Sequence, residues 1–382
     1  MKSLVENAHN IVIFTHMAPD GDAMGSSLAL WHWVNSLTGT ESAGLTAKRS
    51  VSETVCQAEG RSVQVIVPNA FPAFFNWMPG ASDILIYEKC AERCNTLIAQ
   101  ADLFICTDFN DPKRIGPMGD KMMENPCPKI LIDHHLNPVD FADEVHSDPS
   151  ACSSCEIVYR ILTGEVSLSG TESAGLSVNE ANGLSAQRSV SSKSGLTCEI
   201  ATAIYTGLMT DTGNFSFNST RCEIYEIIAE LVRAGIKKDE IYNAVFNQYS
   251  VDRVRLTGYA LYRKMRIYPE YHLALITLSA DELDRYHYQV GDTEGLVNMP
   301  LQISDVYYSV FMREERPKPG TPKPRIRVSF RSQGDRPVNV WANEVFHGGG
   351  HANASGGELF GSLEQAVRLF EQSFPKYITP TK

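Results

Sequence analysis

Short β-branched runs that stop at an acid or an imidazole are the feature that most narrows the folds open to this chain. Ile11 to Thr15 is followed by His16, Leu103 to Thr107 by Asp108, and Ile130 to Ile132 by Asp133-His134-His135. Further on, Ile204 to Met209 leads into Thr210-Asp211-Thr212-Gly213. With another such run at Val63 to Val67, and helical segments at Leu28 to Leu37 and Ala91 to Ala101, the first half alternates strand and helix. That alternation predicts an α/β fold with a mostly parallel sheet covered on both faces. Ligands of such sheets gather at the carboxyl edge of the strands, where these acids and histidines fall.

The stretch from His16 to Ser26 reads H-M-A-P-D-G-D-A-M-G-S, which places His16, Asp20 and Asp22 in a loop between strand and helix. Two carboxylates and an imidazole so close together repel one another and lose hydration unless a cation sits among them. A polar turn cornered on Pro19-Asp20-Gly21 is the competing reading. Taken with the later strand ends, His16, Asp20, Asp22, Asp108, His134 and Asp211 form a mixed shell for two adjacent divalent ions. Oxygen donors with a minority of imidazoles suit manganese, and magnesium, iron, cobalt or zinc less selectively. Taken singly, Asp133 or Asp211 reads equally as a helix cap, His134 as a buried hydrogen-bonded histidine, and Asp108 as a turn residue.

At 382 residues with 43% hydrophobic content, the chain can build two domains. Its net charge of -11 argues against coating long duplex DNA but leaves room for a short anionic substrate met by local basic residues. The start lacks a signal-peptide core and no apolar run is long enough to span a bilayer, so a cytoplasmic protein with no membrane partner is expected. Nine cysteines at irregular spacing read as free thiols. Cys152 and Cys155 form a C-x-x-C before a helix expected from Glu156 to Leu162, whose N-terminus can lower a thiol pKa.

Two segments carry an internal repeat: G-T-E-S-A-G-L at Gly39 to Leu45 returns at Gly170 to Leu176, and Gly44 to Ser52 returns with changes at Gly183 to Ser191. They read as insertions near residues 37–60 and 164–196 of a first domain spanning 1–235. A helix from Arg221 to Gly235 precedes a longer polar helical connection, Lys237 to Met265, so residues 236–265 are expected to link to a smaller α+β domain over 266–382. In that domain His272 to Leu278, Val306 to Phe311 and Arg325 to Arg331 read as strands, and the Pro-rich stretch from Arg316 to Pro324 as a hairpin tip. Arg325, Arg327, Ser329 and Arg331 alternate with apolar residues and share one face. Gly348, Gly349 and Gly350 leave backbone N–H groups open to an anion, and His351 can donate to a phosphate.

These motifs resemble those of the DHH phosphoesterases, a family named for the triplet present here as Asp133-His134-His135. The resemblance covers nearly the whole chain: His16-x-x-x-Asp20-x-Asp22, Asp108, the triplet, Asp211 in T-D-T-G, and Gly348-Gly349-Gly350-His351. It implies that His16, Asp20, Asp22, Asp108, His134 and Asp211 bind manganese, that His135 faces the substrate phosphate, and that the smaller domain closes over the catalytic one. Arg331 and Ser332 match a pair that recognises the nucleotide. The layout is most similar to the nanoRNase and 3'-phosphoadenosine-5'-phosphate phosphatase branch, also labelled exopolyphosphatase-related. The resemblance therefore implies a manganese phosphoesterase of short oligoribonucleotides or small nucleotides, with a homodimer compatible. A soluble cyclic-dinucleotide phosphodiesterase, an exopolyphosphatase and a catalytically silent nucleotide-binding regulator are the alternatives.

Overall fold

The computed structural model describes residues 1–37, 61–164, 196–317 and 323–380. The chain divides into two compact units, Met1–Ala70 with Phe75–Ala244, and Phe71–Phe74 with Val245–Lys382. The repeated segments and the centre of the Pro-rich stretch lie outside the described residues.

In the first unit β1 (Asn10–Phe14), β2 (Ser62–Val67), β3 (Leu85–Ile86), β4 (Leu103–Thr107), β5 (Lys129–Asp133) and β6 (Glu144–Ser147) form a parallel sheet ordered β3-β2-β1-β4-β5-β6. Its helices are α1 (Lys2–Asn7), α2 (Gly21–Leu37), α3 (Tyr87–Gln100), α4 (Pro117–Glu124), α5 (Ser154–Thr163), α6 (Cys198–Asp211), α7 (Cys222–Arg233) and α8 (Lys238–Phe246). Strand alternation sorts the core. Val12, Phe14, Phe104, Cys106 and Leu131 pack with Ile98 of α3 and Met118 and Met122 of α4, so these helices cover one face. The alternate residues Ile11, Ile13 and Ile105 are equally buried and point to the opposite face, where α2, α5 and α6 pack together. Strand order reverses between β1 and β4, which opens a crevice at their carboxyl ends.

Two site residues sit in elements other than those expected. Asp22 lies in the first turn of α2, not in the preceding loop, because the Asp20 carboxylate accepts from the N–H groups of Asp22 and Ala23, both at 3.1 Å, and starts the helix there. Asp211 ends a helix, not a strand. The run Ile204 to Met209 lies inside α6, where every residue from Ile200 to Met209 is buried, and an unbroken buried run does not by itself distinguish a helix from a strand.

Helices α2 and α6 approach so closely that glycine is required at the contact. A Cβ on Gly25 would lie 2.5 Å from the Ala203 carbonyl oxygen; one on Gly207 would lie 2.2 Å from Cys155 Sγ and 2.8 Å from Asp22 Oδ1. Gly207→Ala is therefore expected to destabilise the protein by about 1–3 kcal/mol, despite alanine's better helix propensity, because two rigidly held neighbours must move. Denaturant titration of the purified variant checks this; an unchanged midpoint contradicts it.

The C-x-x-C is a pair of buried free thiols, in keeping with a structural reading of these cysteines. Burial pushes both thiols up, with Glu156 adding to the effect at Cys152 and Asp22 at Cys155, so the helix N-terminus does not activate them. All cysteines among the described residues are free. No helix among them is long and apolar enough to cross a membrane.

The second unit is built on a mixed sheet, β11-β12-β10-β9-β8-β7. Its elements are α9 (Val251–Tyr259), β7 (Arg266–Tyr268), β8 (Leu273–Leu278), α10 (Ala280–Arg285), β9 (Tyr308–Glu315), β10 (Arg325–Ser332), α11 (Asn339–Phe346), β11 (Gly349–His351), β12 (Ala354–Phe360) and α12 (Leu363–Tyr377). Over Lys237 to Met265 the single expected connection is two helices, α8 and α9, with Asn247 to Ser250 between them and a π-turn at Ala260–Lys264. One sheet face packs Val328 and Phe330 against Trp341 of α11 and Phe370 of α12. The other packs Ile276 and Phe311 against Leu256 of α9 and Leu283 of α10.

Candidate active site

Three adjacent strand ends of the first unit deliver His16, Asp108 and Asp133-His134-His135 to one edge, and two helix ends add Asp22 and Asp211. Asp108 stands at the centre. Its Oδ2 lies 3.2 Å from His16 Nε2, which is also 3.8 Å from Asp20 Oδ2. Its Oδ1 lies 3.7 Å from His134 Nε2, which is 3.8 Å from Asp22 Oδ2 and 3.6 Å from Asp211 Oδ2. One carboxylate thus faces two donor clusters, one oxygen to each. Asp108 holds this pose from a left-handed backbone, φ 64°, which few residues other than Gly, Asn and Asp adopt.

Both histidines are oriented through their far nitrogens. His16 Nδ1 donates to the Met17 carbonyl at 3.0 Å, and His134 Nδ1 contacts the Ala151 carbonyl at 3.3 Å, which turns each Nε2 toward the carboxylates. Metal-binding histidines are commonly held this way. His135 is set by Asp133, whose carboxylate accepts from its N–H at 3.0 Å and from its Nδ1 at 2.7 Å.

The electrostatics show what this crowding does without a cation. Burial, then the charges of Asp22 and Asp20, hold the Asp108 carboxyl well above the usual carboxylate range. Burial opposes protonation of His134, yet Asp211, Asp22 and Asp108 outweigh it and push the imidazole up to about 9. His135 goes the other way, held well below the ordinary value by burial, Arg114 and His134. Asp211 adds a further cost, for it is an acid at a helix C-terminus with no basic residue in the last turn. Divalent cations among these oxygens would relieve the crowding of Asp20, Asp22, Asp108 and Asp211, and the donor set fits them: oxygen-rich, with two correctly turned imidazoles.

Several contributors were not apparent in the sequence. Asp22 is gripped by the N-terminus of α5, accepting from Ser154 N at 2.6 Å and Cys155 N at 2.9 Å. Ser154 Oγ donates to Asp108 Oδ1 at 3.0 Å. Arg114 lies close enough for its charge to lower the pKa of both His16 and His135.

In the second unit Arg331 lies on the polar face of β10, half-buried, opposite Ser309 on β9 and Ala354 on β12. Ser332 points to the opposite face. The hydroxyls of Ser309 and Ser332 are both buried without a hydrogen-bond partner among the described residues, as are those of Thr15 and Thr107 in the first unit. The glycine run departs from expectation. Gly349–His351 is a strand paired to β12, and the Gly348 N–H donates to the Ala342 carbonyl at 3.1 Å, so that donor is not open to an anion. Glycine is needed at 348 for packing, since a Cβ there would lie 1.8 Å from the Gly356 carbonyl oxygen.

A parallel sheet with carboxylates and imidazoles massed at its switch point is a candidate centre for divalent metal, and comparison with known proteins places it among the phosphoesterases. The DHH family, N-terminal domain, matches residues 10–208, and the DHHA1 domain matches residues 278–376. The chain belongs to the DHH family, whose phosphoesterases use divalent metals.

Among curated relatives, it is 28% identical over 271 residues to the bifunctional oligoribonuclease and PAP phosphatase NrnA of Bacillus subtilis, covering 70% of this chain and 72% of that protein. It is 25% identical over 374 residues to the protein of the same name from Thermus thermophilus, covering 97% and 90%. Among solved structures, an exopolyphosphatase-related protein from Bacteroides fragilis is 41% identical with a TM-score of 0.78, covering 98% of this chain and 94% of that one.

Proposed function

We propose that this phosphoesterase hydrolyses short oligoribonucleotides and 3'-phosphoadenosine-5'-phosphate, using two divalent ions for which manganese is the best match. The observation that carries the reading is the division of Asp108, with Oδ2 toward His16 and Asp20 and Oδ1 toward Asp22, His134 and Asp211. A carboxylate split in this way is what a bridged ion pair requires. The names of the Bacillus and Thermus relatives support the substrate class.

Bound at these donors, divalent ions supply Lewis acidity to phosphoryl oxygens and an acidified water as nucleophile. The chain's own residues do the rest. Asp133 fixes the Nδ1 proton of His135 and so aims Nε2 outward as the ring atom that exchanges a proton with a substrate oxygen. Arg114 brings positive charge to the same edge, where a phosphate would carry negative charge. On the second unit Arg331 and His351 select the nucleotide, with Gly349 and Gly350 keeping the strand that carries His351 free of side chains, while Ser332, on the opposite face of β10, stands apart from them. Ser309 joins this group through its unpaired hydroxyl.

The test is product analysis on metal-stripped enzyme re-supplied with Mn2+, offered pApA, 3'-phosphoadenosine-5'-phosphate, cyclic diadenylate and polyphosphate in parallel. Multiple turnover of the first two, lost on chelation, is expected. Turnover confined to polyphosphate or to the cyclic dinucleotide would replace the proposal with that activity. Nucleotide binding without turnover would mark a silent regulator.

A further inference from the structure

Glu156, in the first turn of α5, is a carboxylate outside the donor clusters whose side chain is 0% exposed. Its Oε2 accepts from the Cys152 N–H at 2.7 Å. Arg221 Nη2 donates to both oxygens, at 2.7 and 2.6 Å, and Arg160 Nη2 donates to Oε1. Arg160 also reaches Asp148 Oδ2 at 2.9 Å, and the Asp148 N–H donates to the Asp133 carbonyl at 3.1 Å.

The geometry matters because of what residues 151–155 carry. The Ala151 carbonyl takes the His134 Nδ1 contact, and the Ser154 and Cys155 N–H groups hold the two oxygens of Asp22. The Ala151–Cys152 peptide is therefore pinned on one side by Glu156 and orients His134 from the other. Arg221 follows the connection that leaves Asp211 at the end of α6, a connection kinked by left-handed backbone at Gly213, Asn214 and Phe215. Its grip on Glu156 ties that connection to α5. Through residues 151–155 Glu156 is linked to Asp22 and His134, and through Arg221 to the connection after Asp211; Asp20 is reached only one hydrogen bond further, through the Asp22 N–H, and His16 only through the shared Asp108.

Resting on the two-ion reading above, we infer that Glu156 is the positioning residue for one of the two ions, the one held by Asp22, His134 and Asp211, with Arg221 as its lever on the Asp211 side. A buried ion triad kept only for stability would act on the whole fold and on both ions alike. A positioning role is selective. Partners that orient metal ligands typically contribute 10- to 100-fold in metal affinity.

The experiment is Mn2+ titration of the full chain by calorimetry, paired with electron paramagnetic resonance, on wild type, Glu156→Gln and Arg221→Gln. Wild type should take up two ions and show an exchange-coupled pair. Glu156→Gln should keep one ion at the wild-type affinity and bind the other about 10- to 100-fold more weakly, with the coupled signal giving way to that of an isolated ion. Arg221→Gln should weaken the same ion by a smaller factor, because Glu156 still holds Cys152. Two wild-type affinities in Glu156→Gln, or an equal loss at both ions, would overturn the inference while leaving the two-ion reading intact. Wild type that binds fewer than two ions would overturn both. Should Glu156→Gln fail to fold, Arg221→Gln decides: unchanged affinities for both ions refute the role.

Discussion

Metal-stripped Asp108→Asn protein is expected to melt a few degrees above wild type, yet with Mn2+ restored it should hydrolyse phosphoester at least about 10^3-fold more slowly. The two effects share one cause. Without metal, Asp108 is a buried carboxyl surrounded by Asp22, Asp20 and Asp211, and its pKa is raised accordingly. A carboxyl whose folded pKa lies above its unfolded value of about 3.9 loses stability as pH rises through that interval, so removing it should help least near pH 4 and more toward neutrality. Each kcal/mol recovered should appear as roughly 2–4 °C in the melting temperature of a unit of this size. Asparagine also tolerates the left-handed backbone and still accepts from Ser154 Oγ, so the substitution adds no strain. With metal present the sign reverses, because the shared charge is lost. If that charge contributes about 4 kcal/mol in the transition state, the rate falls about 10^3-fold. Differential melts in chelator across pH, beside initial rates in Mn2+, measure both arms. Wild-type turnover would remove Asp108 from the site, and a lower melting point in chelator would show that the carboxylate is not repelled.

For Arg331→Ala the expected result is a KM about 10- to 100-fold higher on a dinucleotide, a small change in kcat, and unaltered Mn2+ binding. A hydrogen bond to a charged group is typically worth about 1.5–3 kcal/mol, and a guanidinium on phosphate lies toward the upper end. Arg331 is on the second unit's sheet and the six donors are on the first unit, so the substitution leaves every donor in place. Its loss removes binding shared by ground state and transition state, which appears in KM. Unchanged KM and kcat would take Arg331 out of the site. Lost Mn2+ binding would mean that the second unit supports the metal centre.

The parts of the site legible in the sequence were those set by strand ends. His16, Asp108 and the triplet follow runs whose hydrophobicity and length mark them as strands, and the parallel sheet places them together. Asp22 and Asp211 were found by type but assigned to the wrong element, because a carboxylate in the first turn of a helix reads like one in the preceding loop, and the last residue of a largely buried helix like the end of a buried strand. Ser153 caps α5, its hydroxyl accepting from the Glu156 N–H at 3.2 Å, as in the first half of a capping box. The Glu156 side chain instead reaches Cys152 and two arginines, one of them 65 residues away, a partnership that no local pattern contains. Ser309 was invisible for a similar reason: only the pairing of β9 with β10 sets it opposite Arg331.

The two helices that begin at the catalytic edge also point to where this architecture can grow. α2 starts one residue past Asp20 and α5 starts at the residue that holds Asp22 and Asp108; both run away from that edge, for about 25 Å and 15 Å at 1.5 Å per residue, before ending at Leu37 and Thr163. The repeated segments attach just beyond those ends, and the chain re-enters the described fold at β2 and at α6, the latter travelling back toward the donors. The entropic cost of a longer loop at such a point rises only with the logarithm of its length. The donors thus sit at the starts of α2 and α5, and the described chain breaks off at their far ends, Leu37 and Thr163.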